Sequence, residues 1–259
     1  MESAASAQKR CAESEVDHLA QTLDLRPGSS VAEVGAGSGE LSIAIARYVG
    51  PQGVVYSTEI NPKLLDRIRG EAQSAGVRNL IPILGKEHDT ELPDNCCDAV
   101  FLREVYHHLT DPVGIDRSLY KAMRPGGRLA IIDFEPSEWP GQPVPPGVPA
   151  NRGGHGAPMR LVAEELSRAG FEHLRTMNWP TSGTIRHYCM LFRKPEALKS
   201  TPIIWHGNAP APRFAAPTVV HPARRSLPQT VVSVLRVTYH SDVGDGQDHE
   251  DQRLHHANY

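Results

Sequence analysis

Strands alternating with helices along the chain predict an α/β protein built on a doubly wound, mostly parallel sheet. Three observations carry that expectation. Apolar runs of strand length recur at 30–34, 53–59, 80–84, 98–104 and 128–134, with helical spacing between them. The first run leads directly into a glycine cluster, Gly35, Gly37 and Gly39. Asn61-Pro62 and Asp111-Pro112 mark helix starts, with a side-chain cap followed by proline in the first turn.

Each element follows from its residues. Val16, Leu19, Ala20 and Leu23 recur at helical spacing within 13–25, and RPG at 26–28 ends that helix. Ser30–Val34 reads as a buried strand, and Leu41, Ala44, Ile45 and Tyr48 give the face of the next helix. The helix after Pro62 places Leu65, Ile68, Ala72 and Ala75 on one side and stops at Gly76. LIPIL at 80–84 is a strand despite its proline. DAVFLRE at 98–104 is the fourth strand, a helix runs to about Met123, and RPGG at 124–127 turns into a fifth strand at 128–134.

Residues 135–158 hold WPGQPVPPGVP, with five prolines and two glycines, and are expected as a loop of functional or lid character. A helix over 159–170 and two closing strands over 171–179 and 187–194, joined by a turn at 181–183, complete a domain of residues 10–195. Residues 196–259 carry six prolines and six of the thirteen histidines, with only 230–239 of strand character. They are expected as a low-order tail, in which His249, His255 and His256 are solvated rather than metal-binding.

Composition narrows the function. With 39% hydrophobic and 22% charged residues in 259, the chain suits a soluble globular protein. A formal charge of −3 and no basic run argue against nucleic-acid binding. No apolar stretch reaches the roughly 18 residues of a membrane span, and MESAASAQKR lacks a signal-peptide core; a cytoplasmic location is expected. Four cysteines form no CxxC pair, and one of Cys96-Cys97 is expected to pack at the start of a strand. No metal site is expected.

The glycine turn is the most informative segment. Glycine permits tight geometry and close backbone approach to a ligand, and the helix N-terminus behind it attracts an anionic group. A dinucleotide fingerprint, GxGxxG, requires a third glycine where this chain has Glu40. A carboxylate there is unfavourable for a pyrophosphate. Glu33, before the loop, adds charge that suits a cationic group. S-adenosylmethionine (SAM), with an ammonium, a sulfonium and one carboxylate, fits better. Glu59 ends the second strand, where an acid accepts the ribose hydroxyls of either ligand.

VAEVGAGSGELSIAIAR, VVYSTEINPKLL, LPDNCCDAVFLREVYHHLTDP and LYKAMRPGGRLAIIDF, in this order, resemble the motifs of the class I SAM-dependent methyltransferases. GGHGAPMRLVAEELSRAGFEHL resembles the last helix of a small-molecule branch of that family, and the likeness covers roughly residues 10–195. It implies a seven-stranded Rossmann-like sheet with an antiparallel closing strand. It implies that Gly35, Gly37 and Gly39 line the methionine part of SAM, that Glu33 reaches its amino group and that Glu59 holds the ribose. The acid contacting adenine corresponds to Asp89, with His88 standing where many relatives carry an acid.

Methyl transfer from a sulfonium depends chiefly on alignment, and a base is needed only when the acceptor loses a proton. Acceptor-side candidates lie after the fourth strand, in REVYHHL, where Glu104 and His107 are suited to orient or deprotonate an acceptor. Tyr106 and one histidine of this stretch also suit plain packing. Asp133 and Glu135 follow the fifth strand, and His155 in RGGHGAP follows the expected lid. The acceptor is expected to be a small molecule. Two alternatives stand beside this reading: a nicotinamide-dinucleotide oxidoreductase, and a SAM-binding module without catalysis.

Overall fold

A computed structural model describes residues 15–181 and 183–196. The expectations for residues 197–259, for the chain before residue 15 and for Ser182 in the turn lie outside the described residues. Residues 15–23 form helix α1, closed where Asp24 turns to φ 56° ahead of RPG. There follow β1 (Ser30–Val34), α2 (Glu40–Val49), β2 (Val54–Glu59), α3 (Pro62–Ser74), β3 (Leu80–Leu84), β4 (Cys97–Arg103), α4 (Pro112–Ala122), β5 (Met123–Phe134), α5 (Met159–Arg168), β6 (Glu172–Trp179) and β7 (His187–Arg193).

The seven strands lie in the order β3-β2-β1-β4-β5-β7-β6. The pairs β1–β2, β1–β4, β2–β3 and β4–β5 are parallel, and β7 is antiparallel to both of its neighbours. The chain leaves β1 toward one edge and returns to build the other side from β4. The boundary between β1 and β4 is therefore a topological switch point, where open α/β sheets bind ligands beyond their strand carboxyl ends.

Alternation along the strands supplies the two faces. Val31 of β1, Ala99 and Phe101 of β4, and Ala130 and Ile132 of β5 pack with Leu19 of α1 and Ile45 of α2. Their neighbours Ala32, Val100, Leu102, Leu129 and Ile131 point the other way, onto Leu119 of α4 and Leu166 of α5. Side chains two apart share a face of a strand, so one buried sheet serves two helical layers.

The local signals behave as their chemistry requires. Asn61 accepts from the Lys63 N–H and Asp111 from the Gly114 N–H, capping α3 and α4. Pro82 is tolerated because β3 pairs only with β2. Both Cys96 and Cys97 are buried, where the sequence suggested one. RPGG is not a free turn. Met123 already pairs with Cys97, the register slips between Cys97 and Ala99, and Gly126 takes φ 81° inside β5.

Candidate functional site

The glycine turn stands at the carboxyl end of β1, and its three glycines have different duties. All three have positive φ: 75° at Gly35, 54° at Gly37 and 79° at Gly39. A Cβ on Gly35 would lie 2.6 Å from Val105, and one on Gly39 would lie 2.6 Å from Ile68 of α3. A Cβ on Gly37 meets nothing within 4 Å. Gly35 and Gly39 thus let neighbouring elements approach, and Gly37 leaves backbone open at the tip. The Gly37 N–H donates to Glu59 Oε2 at 2.9 Å, and the Asn61 N–H donates to Oε1 at 3.0 Å. Glu59 is held by one amide on each oxygen, each with a lone pair left over.

Glu59 and Gly35 border a cavity of about 280 Å³ at the switch point. Val34, Val105, Leu109 and Ile115 give it apolar surface, and Asp89 and His108 also line it. Asp89 Oδ1 accepts from the Glu91 N–H and the Ser118 hydroxyl. The Glu91 N–H bond is the first cause of a depressed Asp89 pKa. His88 is exposed and does not line the cavity. Of the SAM-side residues read from the sequence, Gly35, Glu59 and Asp89 border this space; Glu33, Gly37 and Gly39 stand beneath or beside it. An apolar slot with a fixed carboxylate at one end fits a nucleoside, so the residues present suit the adenosine half of SAM.

Glu33 is buried, and burial raises its pKa to about 8. Its carboxyl meets the Ser42 hydroxyl, which is 2.8 Å from the Ser57 hydroxyl. Ser42 owns one hydroxyl hydrogen. A protonated Glu33 donating to Ser42, with Ser42 donating to Ser57, satisfies the row.

The acceptor-side candidates meet at the ends of β4 and β5. Glu104 leaves β4 with φ 56°, a left-handed conformation that costs a non-glycine residue roughly 1–2 kcal/mol. It lies 3.2 Å from His187 Nε2, whose proximity lowers the Glu104 pKa. Burial works against charge on His187, but Glu104 prevails and its pKa is raised. His107 is buried, with Nδ1 2.8 Å from Asp133 Oδ1, and its ring centre is 4.9 Å from that of His155. The structure therefore brings His107 and His155 together from segments 48 residues apart, with Glu104 turned toward His187. No sequence signal points to His187, because nothing in strand spacing shows that β7 inserts beside β5.

Tyr106 packs beneath the site. Its hydroxyl lies 3.0 Å from both Asp116 and Glu165, and the Arg152 guanidinium lies over its ring at 5.5 Å. Arg152 pairs with Glu165 at 2.9 Å, while its Nε and Nη2 have no hydrogen-bond partner among the described residues.

A family described as "Methyltransferase domain" matches residues 25–152. The "Ubiquinone/menaquinone biosynthesis C-methyltransferase UbiE" of Vibrio cholerae is 30% identical over 110 residues, 42% of each chain. A "Demethylmenaquinone methyltransferase" of Listeria welshimeri is 29% identical over 117 residues, 45% of this chain and 50% of that one. The chain thus spans about half the length, or less, of the curated relatives it matches. A SAM-dependent methyltransferase from Aquifex aeolicus shares the fold, with TM-score 0.58 and 23% identity over 71% of this chain and 93% of that chain. None of these findings favours a nicotinamide dinucleotide. With the sheet order, the glycine turn and Glu59 in place, these likenesses support a class I SAM-dependent methyltransferase domain in this chain, of a family in which SAM is the methyl donor.

Proposed function

We propose that the protein transfers a methyl group from SAM to a small-molecule acceptor seated beyond the carboxyl ends of β4 and β5. The observation that carries this reading is Glu59, fixed by the amides of Gly37 and Asn61 at the wall of the switch-point cavity. SAM supplies an activated methyl on its sulfonium. The chain's own contribution is placement: Glu59 takes the ribose hydroxyls, Asp89 the adenine edge, and Glu33 with the glycine turn the amino-acid end. Glu104, His107 and His155 stand on the acceptor side as catalytic candidates.

Quinone precursors, which the curated relatives' names indicate, do not carry over directly. His155 and β7 lie beyond the matched residues 25–152, so that match says nothing of their part of the acceptor side. The slightly acidic balance supports a metabolite acceptor over nucleic acid. No helix among the described residues is long and apolar enough to cross a membrane. The test is calorimetric SAM titration followed by methyl-labelled SAM with panels of phenols, quinols, amines and thiols. SAM binding with label transfer is expected; absence of SAM binding by the folded chain would refute the reading.

A further inference from the structure

The methyl-transfer reading takes His107 and His155 singly as candidates; with His108 they form a set of three. His107 and His108 come from the turn after β4, and His155 from the close of the long loop after β5. Their ring centres are 4.1 Å (107–108), 4.9 Å (107–155) and 5.5 Å (108–155) apart. One ring nitrogen from each lies within 4.8 Å of the other two.

Two features distinguish this set from an aromatic cluster. The first is Asp133, fully buried under His107. Its Oδ2 accepts from the His107 N–H at 3.1 Å and its Oδ1 from the Phe134 N–H at 2.9 Å. Both oxygens are acceptors, so the proton of the 2.8 Å contact resides on His107 Nδ1. Nε2 is then the free donor. A buried carboxylate that orients a histidine and fixes its tautomer is the support metal ligands use.

The second feature is how His155 is held. Its N–H donates to Gln142 O, and the Ala157 N–H donates to Phe134 O. A Cβ on Gly156, between these anchors, would fall 2.8 Å from Phe134 O. The imidazole stacks on Phe134 at 6.0 Å and 6°.

We propose that His107, His108 and His155 bind one late first-row divalent cation, zinc by preference, and leave one coordination position for an oxygen or nitrogen of the acceptor. Three imidazoles with an open fourth position is a zinc arrangement, with Zn–N about 2.0–2.1 Å. Closing the ligand set from the present spacing requires rotation of His108, which is exposed, and His155, which is half-buried. His108 also lines the cavity that Glu59 borders, so the cation sits where that cavity meets the carboxyl ends of β4 and β5. The acceptor-holding role rests on the methyltransferase reading; metal binding does not.

The experiment uses the full chain, stripped with chelator and titrated with Co²⁺ as probe and Zn²⁺ as competitor, with metal content measured by mass spectrometry. One Co²⁺ per chain with a tetrahedral visible spectrum, bleached by Zn²⁺, is expected. H108A and H155A should each lose at least tenfold in affinity, while H249A/H255A/H256A keeps it. Stoichiometric binding that survives H108A and H155A, or that vanishes with the tail histidines, overturns the proposal, as does no binding at all. SAM titration of the same samples separates the two readings. SAM binding without metal binding overturns the cation site alone, and metal binding without SAM binding overturns the methyltransferase function alone.

Discussion

Replacing Glu33 by glutamine should remove a pH-dependent weakness from the core beneath the glycine turn. Burial raises the folded pKa of Glu33 from 4.5 to about 8. The folded state therefore keeps a proton that the unfolded chain releases near 4.5, so it binds more protons throughout the interval. Stability is fully present below the unfolded pKa and falls as pH rises toward the folded one. At about 1.4 kcal/mol per pH unit, the whole shift corresponds to about 5 kcal/mol, an upper figure for one group. Between pH 6 and pH 8 the loss should reach about 2 kcal/mol. The amide of E33Q keeps a donor for Ser42 and does not titrate. Urea unfolding at pH 6, 7 and 8 without SAM should show native stability dropping against a nearly flat E33Q. With SAM present the native slope should shrink, because an ammonium nearby favours the ionised carboxylate. Parallel pH curves for the two proteins would refute the reasoning.

Four further outcomes are expected. Glu59→Ala removes acceptors for two amides and for the ribose, and should weaken SAM binding by about 10–100-fold, as a charged hydrogen bond is worth about 1.5–3 kcal/mol; calorimetry showing unchanged affinity would remove the ribose assignment. Gly39→Ala, which adds a contact at 2.6 Å with Ile68 to a positive φ, should destabilise more than Gly37→Ala, which meets open space; the surplus should be about 1–3 kcal/mol in urea melts, and equal losses would contradict it. Arg152→Ala strands Glu165 beside Asp116 and should cost about 3 kcal/mol, read as a fall in Tm; a neutral result would show that the pair does not support the loop. A chain ending after Glu196 should fold and bind SAM, since Lys194 completes the backbone pairing with Gly126 and Gly127; circular dichroism of an unfolded product would place residues 197–259 inside the domain's stability.

The geometry of the glycine turn and the place of Glu59 beside it were legible in local signals. Gly35 and Gly39 must be glycine for backbone reasons, and Glu59 follows its strand at a fixed offset, so order and spacing sufficed. What stayed hidden depended on pairing between distant segments. RPGG looks like a turn because its residues favour one, yet Met123 is drawn onto Cys97 and the turn becomes a bulge. The meeting of Glu104 with His187 requires knowing where β7 inserts, and that of His107 with His155 how the loop after β5 folds back onto β5; no periodicity encodes either. Glu33 reads as an ionised partner for a cationic group until the two serines facing it are located.

The loop after β5 is tethered at several points. Glu138 at its near end pairs with Arg186 at 2.7 Å, Gly156 is wedged against β5, and Arg152 is sealed onto α5. A segment tied in this way acts as a wall rather than a door. Discrimination between acceptors then depends on a shape settled before any acceptor arrives, which favours a narrow range over a broad one. The stretch from Trp139 to Val148, between the tethers, is where exchanges should alter which acceptors are methylated while leaving SAM affinity untouched.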